Sequence, residues 1–250
     1  MLLQIEGLTK RFGGVVACDE VSLGVGRGEL HAVIGPNGAG KTTLVGQLTG
    51  EVAPDAGCIR FDGRDITAMP VHRRSQLGLA RSFQVTSLFA DFTALDNVAL
   101  AVQAHAGHSF RFWRDARCEM QLREPARAAL ARVGLSERAG VLVANLSHGE
   151  HRQLEIAMAL AGRPRMLLLD EPMAGMSPEE SARMVGMLRE LKRELTILLI
   201  EHDMEAVFAL ADRITVLLYG RLIASGSPAT IRANAEVREA YLGEQAVGDG

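Results

Sequence analysis

Leu30-His-Ala-Val-Ile34 runs directly into Gly35-Pro-Asn-Gly-Ala-Gly40-Lys41-Thr42-Thr43. The first five residues are too continuously apolar for a strand with a wet face, so they read as a buried parallel strand. The segment from Lys41 to Gly50 then has a helical pattern. Between the two, Gly35, Pro36, Asn37, Gly38, Ala39, Gly40, Lys41 and Thr42 fit the pattern G-x-x-x-x-G-K-[ST], with Thr43 extending it. Glycines at these places let successive backbone N–H groups turn inward around phosphate oxygens, helped by the positive end of the following helix. Lys41, one of only three lysines in the chain, is placed to reach the outer phosphates, and the Thr42 hydroxyl to ligate Mg²⁺.

Two further runs share the character of the first strand: Met166-Leu-Leu-Leu-Asp170 and Thr196-Ile-Leu-Leu-Ile200. Helical patterns follow them at Glu179 to Lys192 and Met204 to Ala211. Apolar strands alternating with helices give an α/β class with a parallel sheet. From Val85 to Gly162 the strand signals stop, and helices are expected over Thr93–Ala104, Arg117–Val133 and Gly149–Ala161, which reads as a helical lobe inserted into a sheet domain. Arg213–Leu218 and Arg221–Ala224 flank Tyr219-Gly220 as a hairpin, and Met1–Thr9 reads as a strand. Gln245–Gly250 is expected to fray.

Composition narrows the function classes. The 250 residues are 48% hydrophobic and 23% charged, as in ordinary globular proteins. No unbroken apolar run is longer than Ile156–Ala161, far short of the roughly 18 residues a membrane-spanning helix needs, and the first residues have no leader pattern; a cytoplasmic chain is expected. Three scattered cysteines, Cys18, Cys58 and Cys118, form neither a disulfide framework nor a metal knuckle. A near-balanced charge of −3 and 4% aromatic residues leave no footprint for nucleic acid.

Two other stretches carry chemistry. Met166–Asp170 ends in the adjacent carboxylates Asp170 and Glu171, where the chain turns and both side chains can address one cavity; Asp170 suits Mg²⁺ and Glu171 suits polarising a water. Leu146-Ser-His-Gly-Glu150 precedes a helix, and Ser147-x-x-Glu150 is a capping box whose hydroxyl and glycine also suit an anion. His148 and His151 lack a convergent third ligand and read as helix-start residues rather than a metal site.

In this order the motifs resemble the nucleotide-binding subunit of an ATP-binding cassette (ABC) transporter over essentially the whole chain. The resemblance implies a P-loop NTPase fold with a RecA-like parallel-sheet core (1–84 and 163–250), an antiparallel β subdomain and a helical lobe (85–162). It makes Gly35–Thr42 the Walker A loop and Met166–Asp170 Walker B. Glu171 becomes the catalytic glutamate, and Leu146–Glu150 the family signature, with Ser147, Gly149 and Glu150 facing nucleotide. Gln84 takes the Q-loop position, next to Mg²⁺ and the attacking water; His202 is the switch histidine, and Phe12 the aromatic that stacks on adenine. The implied ligands are ATP and Mg²⁺. Two ATPase subunits, identical or paralogous, would pack head to tail on integral membrane permease subunits at the inner face of the membrane, fed indirectly by a periplasmic binding protein. Ala174-Gly-Met-Ser177 departs from the family's usual Ser-Ala-Leu-Asp.

Within the family, Arg11-Phe-Gly-Gly14, Gly78-Leu-Ala-Arg-Ser-Phe-Gln84, Arg152-Gln-Leu-Glu-Ile-Ala157, Ile200-Glu-His-Asp-Met204 and Ala240-Tyr-Leu-Gly-Glu244 resemble ATPases of branched-chain amino acid importers. Urea, short amides and other amino acids remain alternative solutes, and a soluble ABC ATPase outside transport is a further alternative. The aromatic segment Phe110–Arg114 falls where that subgroup varies, and either engages a membrane subunit or fills the lobe's own core.

Overall fold

The structure, a computed structural model, describes residues 1–82, 88–106 and 120–239. Gln84, the start of the helix expected from Arg117, Phe110–Arg114, Cys118 and everything from Ala240 onward lie outside the described residues.

Strands β1 (Leu3–Phe12), β2 (Val15–Val25), β3 (Leu30–Ile34), β4 (Ala56–Phe61), β5 (Arg64–Asp65), β6 (Leu79–Arg81), β7 (Met166–Asp170), β8 (Thr196–Ile200), β9 (Arg213–Leu218) and β10 (Arg221–Gly226) form two sheets. The larger has the order β10-β9-β3-β8-β7-β6. It is parallel from β9 to β6, and β10 is turned back on β9 by the hairpin at Tyr219-Gly220. The smaller, β2-β1-β4-β5, is antiparallel. The three apolar strands have the bounds expected of them, and every residue of β3, β7 and β8 is buried.

Alternation along those strands divides the core in two. Ala32, Ile34, Leu167, Leu169, Ile197 and Leu199 point to one side. There they meet helices α3 (Ala94–Ala106), α4 (Met120–Arg132), α5 (His148–Ala161), α6 (Pro178–Leu191) and α7 (Met204–Leu210). Val33, Met166, Leu168, Leu198 and Ile200 point to the other. They pack on α1 (Lys41–Thr49) and, beyond it, on the inner face of the small sheet through Leu3, Ile5, Ile59 and Phe61. Period-two alternation in strands buried on both faces thus clamps α1 between two sheets.

The last turn of α1 ends on Arg74, in α2 (Val71–Gln76), whose guanidinium is buried and donates to the carbonyls of Gln47, Leu48, Met69 and Thr67. Orphan carbonyls at that helix end are satisfied by one side chain. Helices α3, α4 and α5 pack on one another, and α5 also reaches α6 and β6. A short helix, α8 (Pro228–Ala233), returns the chain onto β9 and β10.

Candidate nucleotide site

The loop Gly35–Gly40 joins the C-terminal end of β3 to α1. Two of its glycines are dictated by close approach. A Cβ on Gly35 would lie 2.2 Å from the Leu217 carbonyl oxygen, and one on Gly40, whose φ is 103°, would lie 2.1 Å from that of Ala17. No side chain caps the start of α1, and its first turn contains no acidic residue. By contrast α5, α6, α7 and α8 are each capped by their own Ser or Asp: Ser147, Ser177, Asp203 and Ser227. The start of α1 thus carries no side-chain cap to compete with an anion, which the helix dipole favours there. Lys41 Nζ sits at the loop, 2.6 Å from the Gly35 carbonyl and 3.0 Å from that of Pro36. Thr42 is exposed and Thr43 half-buried on the first turn.

Asp170, at the end of β7, has a side chain only 2% exposed. Burial pushes its carboxyl above the ordinary value, assisted by the charge of Glu171 and opposed by Arg81 and Lys41. Arg81, at the end of β6, forks between Asp170 Oδ2 (3.0 Å) and Glu51 Oε2 (2.7 Å). The next residue, Glu171, has left-handed backbone (φ 49°), and its N–H donates to the Ile200 carbonyl at 2.9 Å. His202, after β8, brings Nδ1 to 3.9 Å from Glu171 Oε1. Phe12 ends β1 half exposed, with Lys10 Nζ 5.4 Å from the ring centroid. It is no part of the core, so a face remains available for stacking.

The capping box at α5 forms as expected. Ser147 Oγ accepts from the Glu150 N–H at 3.2 Å, and Glu150 Oε2 accepts from the Ser147 N–H at 2.8 Å. Glu150 Oε1 also takes Arg138 Nε at 2.6 Å. Burial pulls the Glu150 carboxyl upward, but the Ser147 N–H and Arg138 together hold it below the ordinary range. His148 and His151 serve the helix start through ring contacts to the Ala174 and Val143 carbonyls. Ser177, in the segment that departs from the family pattern, caps α6 in a second box with Glu180.

The structure thus brings Lys41, Asp170, Glu171 and His202 to the C-terminal edge of the parallel sheet. Ser147, Gly149 and Glu150 are not brought to it. They line a separate cavity of about 510 Å³ with Arg138, Glu180 and Arg183, and no residue of the loop 35–43 lines that cavity. Sequence reasoning passed over Arg81, Glu51, Arg138 and Glu201. Glu201 carries the same mark as Asp170, a carboxylate directly after an apolar strand, and was open to the same reading.

A strand–loop–helix whose uncapped helix start faces a buried aspartate agrees with the sequence comparison. The family model for ABC transporters matches residues 18–174. The chain belongs to the ABC transporter family. A second model, described as branched-chain amino acid ATP-binding cassette transporter, matches residues 221–247. The chain is 41% identical to the high-affinity branched-chain amino acid transport ATP-binding protein BraF of Pseudomonas aeruginosa, over 97% of this chain and 98% of that protein. It is 38% identical to the corresponding LivG protein of Escherichia coli, with the same coverage. A solved ATP-binding cassette of an ABC transporter in its ADP conformation superposes with a TM-score of 0.86 at 30% identity, covering 97% of this chain and 98% of that one. The protein is accordingly an ABC ATPase, with an α/β cassette fold.

Proposed function

We propose that this ABC ATPase powers import of branched-chain amino acids through separate permease subunits. The observation that carries the reading is full-length similarity to two such import ATPases, together with the match of the C-terminal segment to the branched-chain model. The cassette is read as a core of 1–84 and 163–250 with a lobe of 85–162. Among the described residues no helix is long and apolar enough to cross a membrane, so energy would reach the solute path through integral partners, with the ATPase docked on the inner membrane face. An apolar cleft of about 370 Å³ between β6 and helices α3 and α5 offers those partners a seat; Leu79, Phe89, Leu100 and Met158 line it. A periplasmic binding protein would act upstream, without touching this chain.

In the proposed site the N–H groups of Gly38 to Thr42 and the Lys41 ammonium hold the phosphates, and Phe12 stacks on the base. Hard oxygen donors suit Mg²⁺, and the Thr42 hydroxyl and the Asp170 carboxylate are of that kind; they would hold it with Gln84. Bound there, the ion would supply neutralisation of phosphate charge. Glu171 orients the attacking water and takes up its proton, and His202 steadies the γ-phosphate. Ser147 and Gly149 lie on a different face from Lys41, so they complete the site of a second ATPase subunit rather than their own. That second subunit is another copy or a paralogue.

The test is uptake of labelled leucine, isoleucine and valine, with urea alongside, in source cells lacking the protein and complemented by wild type or Glu171→Gln. Loss of branched-chain uptake restored only by wild type supports the reading. Loss confined to urea moves the solute to the urea and amide class, and unchanged uptake of all four refutes the assignment of solute.

A further inference from the structure

Glu201 is fully buried, follows β8 directly, and has no part in the mechanism above. A buried carboxylate is costly unless it is paired or fully hydrogen-bonded. Among the described residues its ion-pair neighbour is His202, with Nδ1 3.7 Å away. Its compensation comes from three backbone donors instead. Oε1 accepts from the Met173 N–H at 3.0 Å, and Oε2 accepts from the N–H groups of His202 at 2.9 Å and Asp203 at 3.2 Å.

These donors belong to two different loops. Met173 lies two residues past Glu171, in the loop leaving β7, whereas His202 and Asp203 lie in the loop leaving β8. A second tie, from the Glu171 N–H to the Ile200 carbonyl at 2.9 Å, fastens the start of the first loop to the end of β8. Glu171 is therefore held at its own N–H and again two residues on, and its backbone is left-handed (φ 49°), a conformation that persists only where the surroundings enforce it. Asp203 extends the fixation by capping α7 through the Ala206 N–H at 3.1 Å. Three donors converging from two loops call for two acceptor oxygens. A glutamine would present one oxygen and an NH₂ group opposed to N–H donors, so the carboxylate is chemically required here.

We infer that Glu201 is a positioning residue for ATP hydrolysis: its buried carboxylate clasps the loop bearing Glu171 to the loop bearing His202 and fixes the separation of those two side chains. The inference rests on the proposed roles of Glu171 and His202.

The experiment compares Glu201→Gln and Glu201→Asp with wild type in the full chain. It reads steady-state Mg-ATP hydrolysis, affinity for a fluorescent ATP analogue, and amide hydrogen exchange. Glu201→Gln is expected to lower kcat at least tenfold and leave nucleotide affinity within twofold, because the phosphate loop is untouched. Exchange should quicken at Met173, His202 and Asp203 and stay unchanged along β7 and β8. Glu201→Asp keeps the charge but falls one methylene short; it should keep fold and affinity and still lose turnover, and it carries the test if the glutamine variant fails to fold. Turnover within twofold of wild type overturns the inference. So does a loss of turnover matched by lost affinity, or by faster exchange throughout β7 and β8, since both mean a merely structural role. Glu171→Gln and His202→Ala are run alongside. If they retain wild-type turnover, the assigned roles fail and the clasp fails with them; if they lose it while both Glu201 variants do not, the clasp alone fails.

Discussion

Alanine at three glycines of the phosphate loop should give very different losses of stability, although all three fall in one motif. Gly38 has a φ of 78° and no atom within 4 Å of where a Cβ would stand. Gly38→Ala should therefore cost only the left-handed backbone, about 1–2 kcal/mol. Gly40 carries the same kind of penalty at φ 103°, and its Cβ would stand 2.1 Å from the Ala17 carbonyl oxygen where ordinary contact begins at 3.4 Å. Either the loop or β2 would have to yield by more than an ångström, and the obstacle is backbone within a paired strand, which has no rotamer to change. Gly35, 2.2 Å from the Leu217 carbonyl on β9, meets the same obstacle without the φ penalty. Overpacking against a rigid partner belongs to the tail of mutational effects, about 4 kcal/mol or more, a large share of the roughly 5–15 kcal/mol that holds a domain folded. Urea unfolding without nucleotide should place Gly38→Ala near wild type and Gly35→Ala and Gly40→Ala far below it. Gly40→Ala within about 1 kcal/mol of Gly38→Ala would refute the reasoning, since it would mean that the approach to Ala17 does not fix the loop.

Lys41→Ala should weaken ADP binding at least tenfold by calorimetry, because a charge-assisted contact to phosphate is lost; unchanged affinity would remove the phosphate-loop assignment. Ser147→Ala should cost the nucleotide-free chain about 1 kcal/mol through the lost cap, and should abolish the ATP-dependent dimer expected of Glu171→Gln on gel filtration. Glu155 is buried beside Arg152 at 3.1 Å, and burial, partly offset by that arginine, raises its carboxyl above the ordinary 4.5. Between 4.5 and the raised value the folded chain binds more proton than the unfolded one, so stability falls as pH rises through that window. Glu155→Gln should therefore gain on wild type as the pH rises above 4.5, and a difference in unfolding free energy independent of pH would refute this.

What the sequence disclosed follows from where each constraint is written. Strands β3, β7 and β8 are buried on both faces, so all their residues but His31, Asp170 and Thr196 are apolar, and their limits stand in the composition itself. The phosphate loop is legible for the same reason, since backbone approach and helix entry demand glycine at fixed spacing. Strands β5 and β6 span two and three residues, too short for any periodicity, and β6 exists because β7 offers an edge to pair with. The small sheet is obscured differently: β1 pairs with β2 through several register shifts, with glycine at Gly7 in left-handed backbone, so clean alternation is lost. Arg81 is hidden because its carboxylate partners lie 30 and 89 residues away, and for Glu201 the tie to the other loop, at Met173, is 28 residues off. Nothing local separates a half-buried arginine that forks onto Asp170 from an ordinary strand-end cation.

The two helix starts assigned to ATP differ in a way that bears on how the proposed dimer opens and closes. The start of α1 has no side-chain cap, so phosphate held there as proposed would meet the helix dipole without displacing a side-chain acceptor. The start of α5 is already satisfied: Ser147 and Glu150 cap each other, and the Glu180 carboxylate lies so close to Gly149 that a Cβ there would stand 2.9 Å from it. A phosphate arriving at α5 must compete with these internal acceptors, two of them carboxylates, so it gains less. In the proposed dimer an uncapped helix start on one chain would then face a contested one on the other, and closure would depend on the γ-phosphate itself. Removing that group by hydrolysis then removes most of the differential affinity for the closed state, which is the condition for a ligand to shift a conformational equilibrium. Arg138, held on Glu150 at 2.6 Å, keeps the nearer carboxylate from repelling phosphate outright.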